Sequence, residues 1–350
     1  MSASPLAHVE PGLVLHLKLR DVPVTVRTDS AELLTLLRQY FDGFITPEPE
    51  GEGRLVCALK ETADIDAARL RDLPRRSGKP AKESYYDTPN GRVVVKKRTG
   101  MVIYSDRETR VITGDVVANV NQVINAVQQV YMEEHLDRDF FLLHAAAVAS
   151  PEGTGVLIAS PSGLGKSSAA LATMDCGCRF MSNDRVLVTL TPTSAYLVGV
   201  PKKPRINPGT VLALPSLRSL LSAEDLDAYS RMDRAELWNL ESKLDADVEQ
   251  LYGSGSLVLE APLRLVFLLA WTPNSTAEPR FQEATEEEAV ERLSQQLVPE
   301  GPYRQKPQPL PGKDTLRAML RHVRTYVVTG GVNLGAFASF ARQVSSEEQL

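Results

Sequence analysis

Val156-Leu157-Ile158-Ala159-Ser160-Pro161-Ser162-Gly163-Leu164-Gly165-Lys166-Ser167-Ser168-Ala169-Ala170 is the stretch on which the fold turns. Four apolar residues read as a strand, Ser, Pro and Gly then form a turn, and the Ser168-Ala169-Ala170-Leu171-Ala172 run opens a helix. A phosphate-binding loop has the pattern G-x-x-x-x-G-K-[ST]. Its backbone N–H groups curl round a phosphate, its lysine balances charge, and its hydroxyl ligates Mg²⁺. The second half, Gly163-x-Gly165-Lys166-Ser167, is complete. Ser160 stands where the first glycine, which serves the sharp exit from the strand, belongs, so the match to the pattern is imperfect, although Pro161 and Ser162 remain turn formers. The expected phosphate-binding residues are therefore Ser160, Pro161, Ser162, Gly163, Leu164, Gly165, Lys166, Ser167 and Ser168, with the dipole of the following helix adding to them. The plainer alternative is a glycine-rich turn with no ligand.

Outward from this loop, residues 140–148 and 155–159 are apolar strands separated by Ser150-Pro151-Glu152-Gly153, the pattern of a hairpin. Downstream, a helix should end at Gly177, with strands at 180–182, 185–190 and 195–199. Residues 215–250 are mostly helical and charged, 263–271 is a buried strand, 286–297 a helix, and 325–328 a last strand before a C-terminal helix. The Pro/Gln-rich residues 299–312 read as a solvated loop. Upstream, residues 12–27 alternate on either side of Arg20-Asp21 as two antiparallel strands, and Asp29 with Glu32 has capping-box spacing before a leucine-rich helix. A strand at 54–59, a meander over 85–113 turning at Asn90-Gly91, and an amphipathic helix over 121–135 complete this half. The expected class is α/β, with a smaller N-terminal α+β domain over 1–137 and the loop-bearing domain over 138–350.

Composition narrows the partners. The 350 residues are 43% hydrophobic and 24% charged, with a net charge of -5 and a pI near 5.7. No basic field is available to collect nucleic acid or anionic lipid. The longest strongly apolar run, 265–271, is far short of a membrane span. Residues 1–11 lack a basic region followed by an apolar one, so the expectation is a soluble cytoplasmic protein with neither nucleic acid nor membrane as partner. Three cysteines make no disulfide framework, and Cys176 with Cys178 has no second pair to build a zinc site.

The order His144-Ala145, then Ser162-Gly163-Leu164-Gly165-Lys166-Ser167, then Asn183-Asp184 resembles the core of the HPr kinase/phosphorylase superfamily, which shares its P-loop architecture with phosphoenolpyruvate carboxykinase. The likeness extends to HPr kinase-related kinase B. It is carried by Lys82-Glu83-Ser84-Tyr85-Tyr86-Asp87, Arg98-Thr99-Gly100-Met101, Asn119-Val120-Asn121-Gln122, Ser182-Asn183-Asp184-Arg185, the run from Gly199-Val200-Pro201 to Asn207-Pro208-Gly209, and Leu237-Trp238-Asn239-Leu240-Glu241. The resemblance implies an ATP- and Mg²⁺-dependent kinase that moves the γ-phosphoryl group to a hydroxyl on a protein or small molecule. It also admits a homo-oligomer, since HPr kinases are hexamers. Lys166 would hold phosphates, Ser167 and Asp184 the metal, and His144 would tune protonation near the γ-phosphate.

HPr kinases carry an Asp-Asp pair whose first member is the base, whereas this chain has Asn183 there, and an amide cannot take the proton. Either Asp184 does so, or the acceptor needs little help, or the chain is a nucleotide-binding regulator or partner subunit with weakened catalysis. Phosphoryl transfer depends mostly on positioning and charge neutralisation, so loss of a base slows it without abolishing it. Lys202-Lys203-Pro204-Arg205-Ile206-Asn207 places three cations on a proline-stiffened loop. Arg205 is the expected clamp on transferred charge, with Asn183, Lys203 and Asn207 as acceptor or phosphate contacts. Bland readings stand beside these: a turn aspartate for Asp184, a hydrogen-bonded strand histidine for His144, a solvated basic loop for 202–209. Trp238 and Trp271 read as packing residues.

Overall fold

The computed structural model describes residues 12–74, 80–273 and 275–347; residues 1–11, read above for a leader, lie outside the described residues. The chain is mixed α/β and forms two compact units, one of Met1–Asp137 with Pro299–Pro309, the other of Arg138–Val298 with Leu310–Leu350. Among the described residues no helix is long and apolar enough to cross a membrane.

The first unit is built on a nine-stranded sheet. Leu13–Leu19 and Val22–Thr28 pair antiparallel about Arg20, whose φ of 56° makes the turn. Val22, Val24 and Val26 are buried while the residues between them are half-buried, the period of two that the sequence carries. The helix Ala31–Tyr40 is capped by Ser30, which accepts from the Leu33 amide at 3.2 Å. Asp29, the expected cap, instead accepts from the Lys60 amide. The meander Glu83–Asp87, Arg92–Lys96, Val102–Ser105 and Thr109–Thr113 forms as expected, and joins the first hairpin through two parallel pairings made by Arg54–Leu59.

A buried ion cluster underlies this sheet. Glu133, on the helix Val120–Leu136, is fully buried and accepts from Arg110 at 2.9 and 3.0 Å and from Arg54 at 2.7 Å. Residues 299–309 belong to the same unit; 305–309 are exposed as expected of their composition, but residues 303 and 304 are packed into the fold. Tyr303 is buried with its ring centroid 4.2 Å from the Arg110 guanidinium, and Arg304 donates to Asp137 at 2.6 and 2.7 Å. Aromatic and guanidinium contacts thus outweigh the turn-forming prolines around them. Glu133→Gln removes the charge facing two buried guanidinium groups. It should cost about 2 kcal/mol of unfolding free energy, measured by denaturant titration.

The second unit contains a ten-stranded sheet that branches at the long strand Glu260–Leu269. The early part of that strand pairs with Ala195–Gly199, and its later part lies parallel to both Gly155–Ala159 and Arg324–Thr329. Residues 140–148, expected as one strand, are two: Phe141–Leu143 pairs with Val186–Leu190, while Ala145–Ala149 pairs with Gly155–Ala159 and with Arg179–Ser182. The break falls at His144, opposite the turn 183–185 that separates the two partner strands. The sheet therefore opens at one point, which brings His144 together with Asn183 and Asp184.

Candidate functional site

Gly155–Ala159 delivers the chain into the Ser160–Gly165 loop, and Lys166–Met174 is the helix that leaves it. Gly163 and Gly165 have φ of 87° and 76°, left-handed values that an L side chain rarely adopts. Ser160 needs no such conformation. It is absent from the positive-φ residues, and its hydroxyl donates to the Pro161 carbonyl at 3.0 Å, so the missing first glycine leaves no backbone strain there. The Lys166 ammonium is buried and donates back to the Ser160 and Pro161 carbonyls at 2.9 and 3.2 Å. On the other side of the loop, Trp271 Nε1 donates to the Leu164 carbonyl at 2.8 Å. Lysine and tryptophan hold the loop from both ends.

The turn after Arg179–Ser182 stands over this loop. Asn183 is 5% exposed and donates through Nδ2 to Ser167 Oγ at 3.1 Å, while its Oδ1 is buried with no partner. Asp184 has φ 69°. Aspartate tolerates the left-handed region better than most residues, and Ser182 Oγ braces the turn by accepting from the Val200 amide at 3.1 Å. The Asp184 carboxylate faces Arg185 at 3.2 Å, and His144 Nε2 and Lys202 at 3.6 Å each.

This charge set fixes the protonation states. Burial raises the Asp184 carboxyl, but Arg185 and Lys202 outweigh it and hold the group below the usual carboxylate range. Burial, with Lys166 and Arg185 adding to it, pushes His144 down to about 4 against the pull of Asp184. His144 is thus neutral at neutral pH and a poor base. Burial likewise brings Lys166 down to about 8, with Asp184 opposing and Arg185 assisting.

His144, Lys166, Asp184 and Lys202 line a cavity of about 720 Å³. Ser162, Gly163, Gly165, Lys166, Ser167, Ser168, His144, Asn183, Asp184, Arg205 and Asn207 are all on its wall. Of the remaining residues expected at the site, Ser160, Pro161 and Leu164 support the loop from behind, and Lys203 turns to Asp247 at 2.7 Å. Arg205 is half-exposed and paired with Asp245 at 3.1 Å. The wall also carries Arg234 and Lys243, which sequence reasoning did not single out, and Trp238 and Trp271, which it read as packing residues. Trp238 was expected as packing, yet it is half-buried on the cleft wall. Its one signal in the sequence was membership of the Leu237–Glu241 stretch.

The donor set suits a nucleoside triphosphate and magnesium. A Cβ added at Gly163 would meet nothing within 4 Å, so the loop is open where it faces the cleft. Ser167 Oγ and the Asp184 carboxylate are hard oxygen donors, and Mg²⁺ takes only one or two protein oxygens when phosphates and waters supply the rest. Among the described residues no group of three or more His, Cys, Asp or Glu could form an all-protein metal cage.

No protein-family model matches the chain, and no curated protein does. Among solved structures it is similar to the Hpr(Ser) kinase/phosphatase from Coxiella burnetii, with 13% identity and a TM-score of 0.32 over 60% of this chain and 99% of that one. At that degree of likeness, the chemistry of the cleft is read from its own residues.

Proposed function

We propose that the second unit binds Mg²⁺ and ATP on the Ser160–Ser167 P-loop and transfers the γ-phosphoryl group to a hydroxyl acceptor. One observation carries the reading: a left-handed glycine loop with a buried lysine, and a turn bearing Asn183 and Asp184, face each other across one cleft. Lys166 and the loop amides bind phosphate oxygens, and the dipole of Lys166–Met174 adds to them. Ser167 and Asp184 would hold Mg²⁺, which when bound neutralises charge on the β- and γ-phosphates. Asn183 borders the cleft, but its amide cannot remove the acceptor's proton.

A second reading is a nucleotide-binding regulator with little transfer. It is favoured by the weak basicity of every group at the turn: an amide at 183, a carboxylate held low at 184, and an imidazole near 4 at 144. Both readings require nucleotide binding, and the protein contains a direct reporter of it. The chain has 2 tryptophans, and both line the cleft. Adding Mg·ATP should change the intrinsic fluorescence saturably, and Trp238→Phe with Trp271→Phe should abolish the signal. No change in wild-type fluorescence and no calorimetric binding would sink both readings. Binding with transfer of labelled γ-phosphate to a lysate component selects the kinase, and binding without it selects the regulator.

A further inference from the structure

We propose that the acceptor carries an anionic group, a carboxylate or a phosphate, beside its hydroxyl, and that Arg234 and Lys243 bind that group. The inference rests on the kinase reading and deepens it. Among the described residues, five cations line the cleft, Lys166, Lys202, Arg205, Arg234 and Lys243, against one acid, Asp184, in a chain whose net charge is -5. Three of the five are already engaged: Lys166 by the loop carbonyls, Lys202 with Asp184 at 3.6 Å, and Arg205 with Asp245 at 3.1 Å.

Arg234 and Lys243 have no hydrogen-bond or ion-pair partner among the described residues. Acids are close in sequence, and neighbouring cations find them: Arg231 pairs with Asp227 at 2.6 Å and Lys203 with Asp247 at 2.7 Å. Arg234 opens the helix Arg234–Asn239, and both it and Lys243 are solvent-exposed on the cleft wall, open to a ligand. Mg·ATP brings only a small net negative charge, which Lys166 and the loop amides meet, so the surplus cations fit a second anion.

Asn183 and Asp184 face the loop from the turn and border the same cleft, where the acceptor hydroxyl must approach the γ-phosphate. In the transfer, the acceptor oxygen forms a bond to the γ-phosphorus and the bond from phosphorus to the β,γ-bridging oxygen breaks. ADP departs with that electron pair, and the hydroxyl proton passes to water.

The test uses the full chain saturated with Mg²⁺ and a non-hydrolysable ATP analogue, so that the P-loop is filled. Inorganic phosphate and, separately, succinate are titrated by calorimetry. At least one of the two should bind in the millimolar range, and which one does so separates phosphate from carboxylate recognition. Arg234→Ala with Lys243→Ala should weaken that binding about tenfold or more, while affinity for the analogue stays within about twofold. The proposal is overturned if neither anion binds, if the double variant binds them equally well, or if analogue affinity falls in parallel, since the two cations would then serve the nucleotide. Failure of the analogue to bind the wild type at all is a separate result that removes the kinase reading first.

Discussion

Lys166→Met should weaken Mg·ATP binding about a hundredfold and, at the same time, raise the stability of the free protein. The ammonium is buried, and burial brings it down to about 8 from 10.5, so the folded state carries the cost of a desolvated charge at neutral pH. Methionine keeps most of the volume and removes that charge. The expected gain is roughly 1–2 kcal/mol, the remainder being offset by the Ser160 and Pro161 carbonyls that lose their donor. A bound phosphate favours the charged form, which gives the affinity loss its size.

The same group sets a pH dependence. In the free protein Lys166 is protonated below about 8, and phosphate raises its pKa further. Below that pH the nucleotide affinity should be flat; above it, binding must take up a proton and affinity should fall toward tenfold per pH unit. For stability the sign is opposite. The folded pKa is depressed, so between about 8 and 10.5 the unfolded chain holds more protons and stability rises with pH. Calorimetric titrations across this range, with melting curves of wild type and Lys166→Met, check both. A variant that binds Mg·ATP as well as wild type would remove the lysine from the phosphate site.

Asn183→Asp should raise the transfer rate about a hundredfold. Asp184 is a weak base because Arg185 and Lys202 hold its carboxyl low against burial. A carboxyl at 183 would sit in a position only 5% exposed, beside the Asp184 charge. Both effects raise its pKa and make it a stronger base than its neighbour. The Ser167 hydroxyl, which now accepts from the amide at 3.1 Å, could donate to the new carboxylate instead, so the local geometry survives. Single-turnover transfer from labelled ATP should increase, and its rate should rise with pH through the pKa of the introduced group. An unchanged rate would mean that transfer does not wait on proton removal.

Residues 155–174 show why the loop was legible without coordinates. A strand, a turn rich in Gly and Ser, and a helix are local events, decided by apolar periodicity and by glycines free to take positive φ. The order of His144, the loop and Asn183-Asp184 was legible too, as were most strand positions in both units. The cap falls at Ser30 and not Asp29, because Asp29 is occupied by the Lys60 amide, which follows the distant strand Arg54–Leu59.

What the sequence by itself determined was therefore the strand–glycine loop–helix unit and the residue types around it, since each depends on a few adjacent positions. The tertiary structure alone decided which of those residues meet. The strand break at His144 exists because its two halves pair with different partners, a long-range choice that no local pattern encodes. Residues 299–309 join the first unit through Tyr303 and Arg304, which meet Arg110 and Asp137 more than 160 positions away. Arg234, Trp238 and Lys243 reach the cleft only because the segment that carries them folds back over it, so their charge and aromatic faces became a site through packing.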